Sequence, residues 1–590
     1  MKKSTIVLPL LVLYLVSCGN STSDSIPSGA NPSTSIPSSG DTSSSSTPSG
    51  PYVEEIDSIQ DTSIFHAWNW KMNDIKSRLK LIADAGYESI QISPLQPKVD
   101  KANYADKSTK SQWWKLYQPL DFSVATTNEN FLGDKNDLIS LCEEAKKYDI
   151  SIVVDIVSNH LSGDKGVYNP QVYNQYPLHT YNGNTDDNSV EATVHGRVGG
   201  LPDVDTSLSE VQSKITSMLK EYIDCGIKGF RFDTAKHIET PDDGEFASNY
   251  WPNVLGSVTS YAKSTYNVDP YYYGEILYTC GKNRSYDSYK KYMSFTDNVS
   301  GSDVITAVKN QTTDKLLEEY PTKADPSNLV LWAESHDTYA NDGDETTSID
   351  IDTINRAFVI QNSRKNAASL YLARPSDLYN STICEVSLKG WRNAEIIASN
   401  YFHRIYNNKA EKLSILNNSL VNVRGENNFT GVSLVNVKKA SEINLKLDDL
   451  VEQSYIDLAS GKTYQYKKEG INISLTNGCA LLVPTTLDPH IHTPEPTYES
   501  NVLIKDADEN KNYFAWYWNS QQAGKWKQFD KDLDAIGISL NSGFNYIICE
   551  ADKDVSLDNV GWSKIDRQTS DLYFDGNQII YNYNEIDWLS

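Results

Sequence analysis

From residue 64 onward the chain alternates short β-rich runs with helical patterns, and this alternation limits the folds open to it more than any other feature. A run over 64–70 is followed by an apolar helical stripe of Ile75, Leu79 and Ile82 that stops at Gly86, then by a second run over 89–95. Runs at 150–157, 229–233, 271–277, 329–334 and 369–373 continue the series, with a weaker one near Met293. Eight strands separated by helices predict a closed (β/α)8 TIM barrel rather than an open doubly wound sheet, placed over 58–405. Residues 161–205, polar and rich in Tyr and Asn, are too long for an ordinary barrel loop and predict a small inserted domain.

Beyond a helical run at 393–406 the period changes to short alternating segments at 431–437, 443–447 and 471–475, which predicts an antiparallel β-sandwich over 406–486. A proline-bearing linker over 487–498 leads to a second β-rich segment, 499–590, expected to be another β-sandwich. This segment concentrates Trp516, Trp518, Trp526, Trp562 and Trp588, and the alternation in Tyr513-Phe-Ala-Trp-Tyr-Trp518 lets one face fill a core while the other meets a ligand. At the other end, Lys2 and Lys3 precede an apolar run over 6–16, too short to cross a bilayer and suited to an export signal. Leu15-Val16-Ser17-Cys18 resembles the lipobox of bacterial lipoproteins. Residues 1–18 are therefore expected to be a signal ending at a lipidated Cys18, and 19–57, nearly all Ser, Thr, Pro, Gly and Asn, a flexible tether. The expected location is the cell surface, with lipid at Cys18 as the one membrane contact, and secretion is the alternative.

At 590 residues the chain exceeds one hydrophobic core. Its 53 Lys+Arg against 78 Asp+Glu leave a net charge of -25, which argues against a nucleic-acid partner. The 37 Tyr and 12 Trp exceed what packing needs, and flat rings stack on sugars, although the same rings also serve as core fillers with a polar handle. The cysteines after Cys18 stand singly, with no Cys-x-x-Cys pair for zinc, and are expected to be mostly reduced and buried; Leu138, Leu141, Cys142 and Ala145 form one such helical stripe. A monomer is expected.

A barrel of this kind builds its active site from the C-terminal ends of its strands and the loops after them. Asp155, Asp233 and Glu275 fall at such ends, and His336-Asp337 follows the run at 329–334. Carboxylates converging on one mouth repel each other, which is tolerated where acid, base or nucleophile roles need shifted pKa values. Arg231 and Asp233 lie two apart on one strand, so both face the same side and the guanidinium can hold the Asp ionised and oriented. Paired carboxylates of this kind are what glycoside cleavage uses. Asp155 reads as an architectural acid more than as a catalyst.

Four segments in this order, Asp155-Ile-Val-Ser-Asn-His160, Gly229-Phe-Arg-Phe-Asp-Thr-Ala-Lys-His237, Gly274-Glu275 and Glu334-Ser-His-Asp337, resemble the signature regions of the alpha-amylase family of glycoside hydrolases. Leu201-Pro-Asp-Val-Asp205 resembles its fifth region, and Leu116-Tyr-Gln-Pro119 the segment carrying its substrate-stacking tyrosine. The resemblance implies Asp233 as nucleophile, Glu275 as general acid/base and Asp337 as the carboxylate that grips sugar hydroxyls, in a retaining double displacement on internal α-1,4 bonds of starch or glycogen. Tyr117, Gln118, His160, Arg231, Lys236, His237 and His336 would bind the sugar or the nucleophile. It also implies a structural calcium between barrel and insert, on Asn159, Asp203 and the backbone carbonyl of His237, with a further ligand from the insert. Ser335 stands where the chloride-activated branch has Asn, so an activating chloride is not expected. The last segment resembles small bacterial starch-binding modules, which implies Trp518 and Trp526 as stacking platforms. The alternatives are an α-glucan transglycosylase and a non-catalytic surface starch-binding lipoprotein, and the complete acid triad argues against the second.

Overall fold

The computed structural model describes residues 58–98, 113–163, 176–318, 320, 323–341, 345–374, 386–387, 390–487, 498, 500–520, 522–532, 535–576 and 578–589; the expected signal with Cys18, the tether and nearly all of the linker at 487–498 lie outside them. Eight parallel strands close into a barrel in chain order: β1 (Ser63–Ala67), β2 (Ser89–Ile92), β3 (Ser151–Ile156), β4 (Gly229–Phe232), β5 (Tyr271–Gly274), β6 (Ser294–Thr296), β7 (Leu329–Trp332) and β8 (Ala368–Leu372), with β8 pairing back to β1. Alternate side chains split between two layers, as the pleat requires. Ile64, Val153, Tyr273, Val330, Trp332 and Leu370 pack together as one cluster, while Phe65, Ile90, Val154, Phe230, Phe232 and Leu331 join the larger cluster shared with the helices. The fold is thus a TIM barrel followed by β-sandwich layers.

The helices follow from sequence in the ordinary way. Lys135–Ala145 starts at a reciprocal cap, in which Asp134 accepts from the backbone N–H of Asn136 and Asp137 while the Asp137 carboxylate accepts from the Asp134 N–H. Its buried side is the stripe Leu138, Leu141, Cys142 and Ala145. The stretch expected as one helix before Gly86 is two, Met72–Lys76 and Leu79–Asp84. Between them Ser77 Oγ and Arg78 Nη1 each donate to the Asp74 carbonyl at 3.0 Å, so side chains take the place of the continuing backbone ladder. The first strand stops at Ala67 rather than reaching residue 70, because Asn69 adopts a left-handed φ of 64° that turns the chain into the mouth.

After the last barrel helix, Ala394–Tyr406, strands from Ala410–Leu416 to Cys479–Pro484 form a six-stranded and a two-stranded sheet around Val421, Val432, Leu434, Leu445, Tyr455 and Ile473. Residues 500–589 form a further four-stranded and five-stranded pair around Val502, Ile504, Tyr513, Ala515, Ile548 and Phe574. Cys142, Cys225, Cys280, Cys479 and Cys549 are free and buried. No helix among the described residues is long and apolar enough to cross a membrane.

Candidate active site at the C-terminal mouth of the barrel

Arg231 on β4 is the hub of the mouth. Its Nη1 donates to both oxygens of Asp155, at 2.8 and 2.9 Å, and to Asp233 Oδ1 at 2.9 Å, while Nη2 lies 2.8 Å from Glu275 Oε1. Strand register explains the convergence, since Asp155 pairs with Arg231 across β3 and β4, and Asp233 and Glu275 each follow the last residue of their strands. The backbone N–H of Thr234, held in a left-handed turn at φ 49°, donates to Glu275 Oε2 at 3.0 Å. A Cβ on Gly274 would meet Ala235 Cβ at 2.7 Å and Met293 Sδ at 2.8 Å, so glycine is what lets the loop after β4 pass beside Glu275. Asp337, in the short helix His336–Ala340, hydrogen-bonds to Glu275 and accepts from Asn341 Nδ2 at 3.0 Å. Ser335 caps that helix through its hydroxyl, which accepts from the Thr338 N–H at 3.2 Å.

Three carboxyls therefore share one guanidinium, and a fourth, Asp337, bonds to one of them. Burial lifts Asp155 to about 6 and lifts Asp233 and Asp337 above the ordinary carboxylate range, with Arg231 pulling each of them back. The protons retained belong to the cluster rather than to one side chain.

Aromatic rings wall the site. Tyr117 donates to Asp155 Oδ2 at 3.0 Å and stacks on His336, with ring centroids 5.1 Å apart and planes 10° from parallel; Trp113 closes edge-on at 5.5 Å. Burial lowers His336 to about 3, so it meets a ligand as a neutral imidazole. His66, on β1, lies buried with its ring 5.5 Å from His336. Lys236 Nζ reaches Asp187 Oδ2 at 2.8 Å and the Leu277 carbonyl at 3.3 Å; Asp187, from the insert, is a partner that no motif marks. Gln118 accepts from Ser162 Oγ at 3.4 Å, and the His237 ring contacts the Thr193 carbonyl through Nδ1 at 2.7 Å.

The residues expected to hold calcium come together between barrel and insert. Asn159 Nδ2 donates to Asp203 Oδ1 at 2.9 Å and to the His237 carbonyl at 3.1 Å, while Asn159 Oδ1 faces His160 Nδ1 at 3.2 Å. That last contact pairs two acceptors. His160 Nε2 lies 3.0 Å from the Tyr117 carbonyl, which only accepts, and burial lowers the ring to about 4, so its one proton sits on Nε2. Turning the amide over gives His160 a donor and points three oxygens, of Asn159, Asp203 and His237, at one place. That is unfavourable without a cation and is the hard oxygen set calcium takes, so the residues fit the ion.

Close to this cradle, sequence reading missed His179, His195 and Glu239. His179 Nδ1 meets Asp203 Oδ2 at 2.7 Å and Nε2 meets Glu239 Oε1 at 2.9 Å. These residues carry no recognisable spacing, and only the fold brings Glu239 to the insert.

In the last segment, an open cleft of 530 Å³ is lined by Trp516, Trp518, Asn519, Gln522 and Gly524. Trp526 is outside that lining and packs against Trp516 and Trp562, with centroids at 5.0 and 4.8 Å. Trp562, 46% exposed, is the ring of this cluster most open to a ligand.

The model of the alpha-amylase catalytic domain matches residues 57–323. Over 401 residues the chain is 32% identical to an alpha-amylase of Clostridium acetobutylicum, covering 66% of this chain and 49% of that relative. Over 352 residues it is 30% identical to an alpha-amylase of Butyrivibrio fibrisolvens, covering 54% of this chain and 36% of that relative. The chain thus spans half or less of the length of these curated relatives. The alpha-amylase of Geobacillus thermoleovorans, solved with acarbose, superposes with a TM-score of 0.53 at 16% identity, covering 72% of this chain and 99% of that one, a likeness of fold. The alpha-amylase catalytic-domain match takes in the first six barrel strands with Asp233 and Glu275, so this part of the chain is similar to the catalytic domain of the alpha-amylases, which are glycoside hydrolases.

Proposed function

We propose that the chain is an endo-acting alpha-amylase that hydrolyses internal α-1,4 bonds of starch, glycogen and related α-glucans with retention of configuration. The observation that carries this reading is the placing of Asp233 and Glu275 on one guanidinium at the mouth, with Asp337 against Glu275. Asp233, steered by Arg231, attacks the anomeric carbon as Glu275 gives a proton to the departing glycosidic oxygen. The bond to the leaving chain breaks and a glycosyl ester on Asp233 forms. Water then gives its proton to Glu275 and displaces Asp233, which restores both carboxyls. The first step requires Glu275 to enter it protonated. Tyr117 and His336 offer a flat wall for the sugar ring, Asp337 grips its hydroxyls, and Lys236 lines the leaving-group side. Calcium bound by Asn159, Asp203 and the His237 carbonyl would clamp insert to barrel and take no part in bond breaking. The cleft at Trp518 would hold the polymer, and lipid at Cys18 would display the enzyme at the cell surface as a monomer.

Reducing-end release from soluble starch tests the reading, with Glu275→Gln beside it. Rapid release with an early fall in iodine colour is expected, and Glu275→Gln should keep starch binding but lose turnover by at least about 100-fold. A near-normal rate in Glu275→Gln would overturn the assignment. Products longer than a maltotriose substrate would identify a transglycosylase, and binding without any product a starch-binding lipoprotein.

A further inference from the structure

Three donors, His179, His195 and Glu239, converge beside the calcium cradle from two parts of the chain, with Asp205 next to them. His179, His195 and Asp205 belong to the insert, and Glu239 follows the loop after β4 that carries Lys236 and His237. His179 Nε2 lies 2.9 Å from Glu239 Oε1 and 3.3 Å from Asp205 Oδ1, and His195 Nε2 lies 3.5 Å from the same Glu239 oxygen. No lysine or arginine among the described residues pairs with Asp203, Asp205 or Glu239, and Glu239 is fully buried. With Asp203 committed to the calcium cradle, the buried Glu239 carboxylate has only the two imidazoles as countercharge, a costly arrangement unless one is charged or a cation joins them.

We propose that His179, His195 and Glu239 form a transition-metal site of the kind zinc takes, with water in the fourth tetrahedral position, cross-linking the insert to the loop after β4. Ligands about 2.0–2.1 Å from zinc at tetrahedral angles stand about 3.3 Å apart, and the separations of 2.9 Å from His179 and 3.5 Å from His195 to Glu239 bracket that edge, with all three ligand atoms within 4.8 Å of one another. Two imidazoles and one carboxylate are a mixed nitrogen and oxygen set, which suits zinc, whereas calcium takes oxygen alone. A dication also cancels the charge of Asp205 and Glu239.

The outer partners of such a site are in place. Asp203 Oδ2, 2.7 Å from His179 Nδ1, holds that proton on Nδ1 and leaves Nε2 to ligate as the neutral ring. The Thr206 hydroxyl donates to Glu239 Oε2 at 2.5 Å, which leaves Oε1 for the ion. The rings of His179 and His195 lie face to face at 3.9 Å and 18°, so ligation requires one to turn about its Cβ–Cγ bond. His195, 20% exposed against 6% for His179, is the one with room. Any proton on His179 Nε2 leaves to solvent as the metal binds. The ion then ties the insert to the segment that aims Lys236 at the mouth.

The test uses the purified chain with Zn2+ alone, then Co2+ as a spectroscopic stand-in. Metal analysis should find one zinc per chain after dialysis, Co2+ should show the intense visible bands of tetrahedral coordination, and Zn2+ should raise the melting temperature where equal Ca2+ does not reproduce the shift. His195→Ala should weaken Zn2+ binding by at least about tenfold while keeping the response to Ca2+, and His195→Gln, read alongside, should do the same. Substoichiometric zinc, absent tetrahedral bands, or Zn2+ affinity unchanged in both variants would overturn the proposal and leave the three residues with Asp205 as an ion-pair network. None of these readouts is turnover, so they stand apart from whether the chain cleaves α-glucans.

Discussion

Arg231 Nη1 bonds Asp155 and Asp233 and Nη2 bonds Glu275, so removing this one side chain strands three buried carboxyls. Arg231→Ala should lower kcat/KM by about 100- to 1000-fold, the scale of losing a fixed charge-stabilising donor, and should cost about 3–5 kcal/mol of stability. Starch kinetics and denaturant unfolding check both, and a variant with normal kcat/KM would remove Arg231 from the machinery. Arg231→Lys keeps the charge and cannot bridge three acids, so it should recover stability more than rate. At this scale much of the mouth is legible in sequence, because Arg231 and Asp233 sit two apart on a strand and the family motifs mark the rest. The cluster between the insert and the loop after β4 is not legible in the same way. His179, His195 and Glu239 have no spacing that declares a shared site, and Asp187 meets Lys236 only because the insert folds over the mouth.

Glu88, just before β2, sits buried against Arg404 of the helix Ala394–Tyr406, and that contact ties the last helix to the second strand. Burial raises Glu88 from 4.5 to about 7, with Arg404 opposing the rise. The folded chain therefore keeps a proton there that the unfolded chain gives up. The resulting stability is present below 4.5 and is lost as pH rises through about 7. Relative to the native chain, Glu88→Gln should gain up to about 3 kcal/mol between those limits, measured by urea unfolding at acid and alkaline pH. A pH-independent difference would contradict it. The elements themselves were largely readable from the alternation of periods 2 and 3.6, but not their ends. Asn69 cut the first strand short through its own left-handed turn, and Ser77 with Arg78 broke a helix whose apolar stripe runs on without interruption.

At the scale of the whole molecule, the order of barrel, sandwich and final β segment was legible because composition and period change at each junction. Which rings of the final segment face a ligand was not, since strand alternation gives faces and not their covering. Trp526 packs within its own cluster, while Trp518 lines the cleft and Trp562 is exposed. Trp518→Ala should reduce adsorption to starch granules by about tenfold, near the 1.4 kcal/mol that one stacked ring contributes, with soluble-starch turnover unchanged. Equal adsorption by the two proteins would take the cleft out of the account.

The central claim is that Asp233 becomes covalently bound to sugar, and trapping that ester tests it most directly. A fluorinated α-maltosyl fluoride, which slows the second displacement, should label the intact chain once, and peptide mass analysis should place the maltosyl group on Asp233, with none on Asp233→Asn. Label on Glu275 or Asp337, or steady turnover with inverted products and no label, would contradict the account.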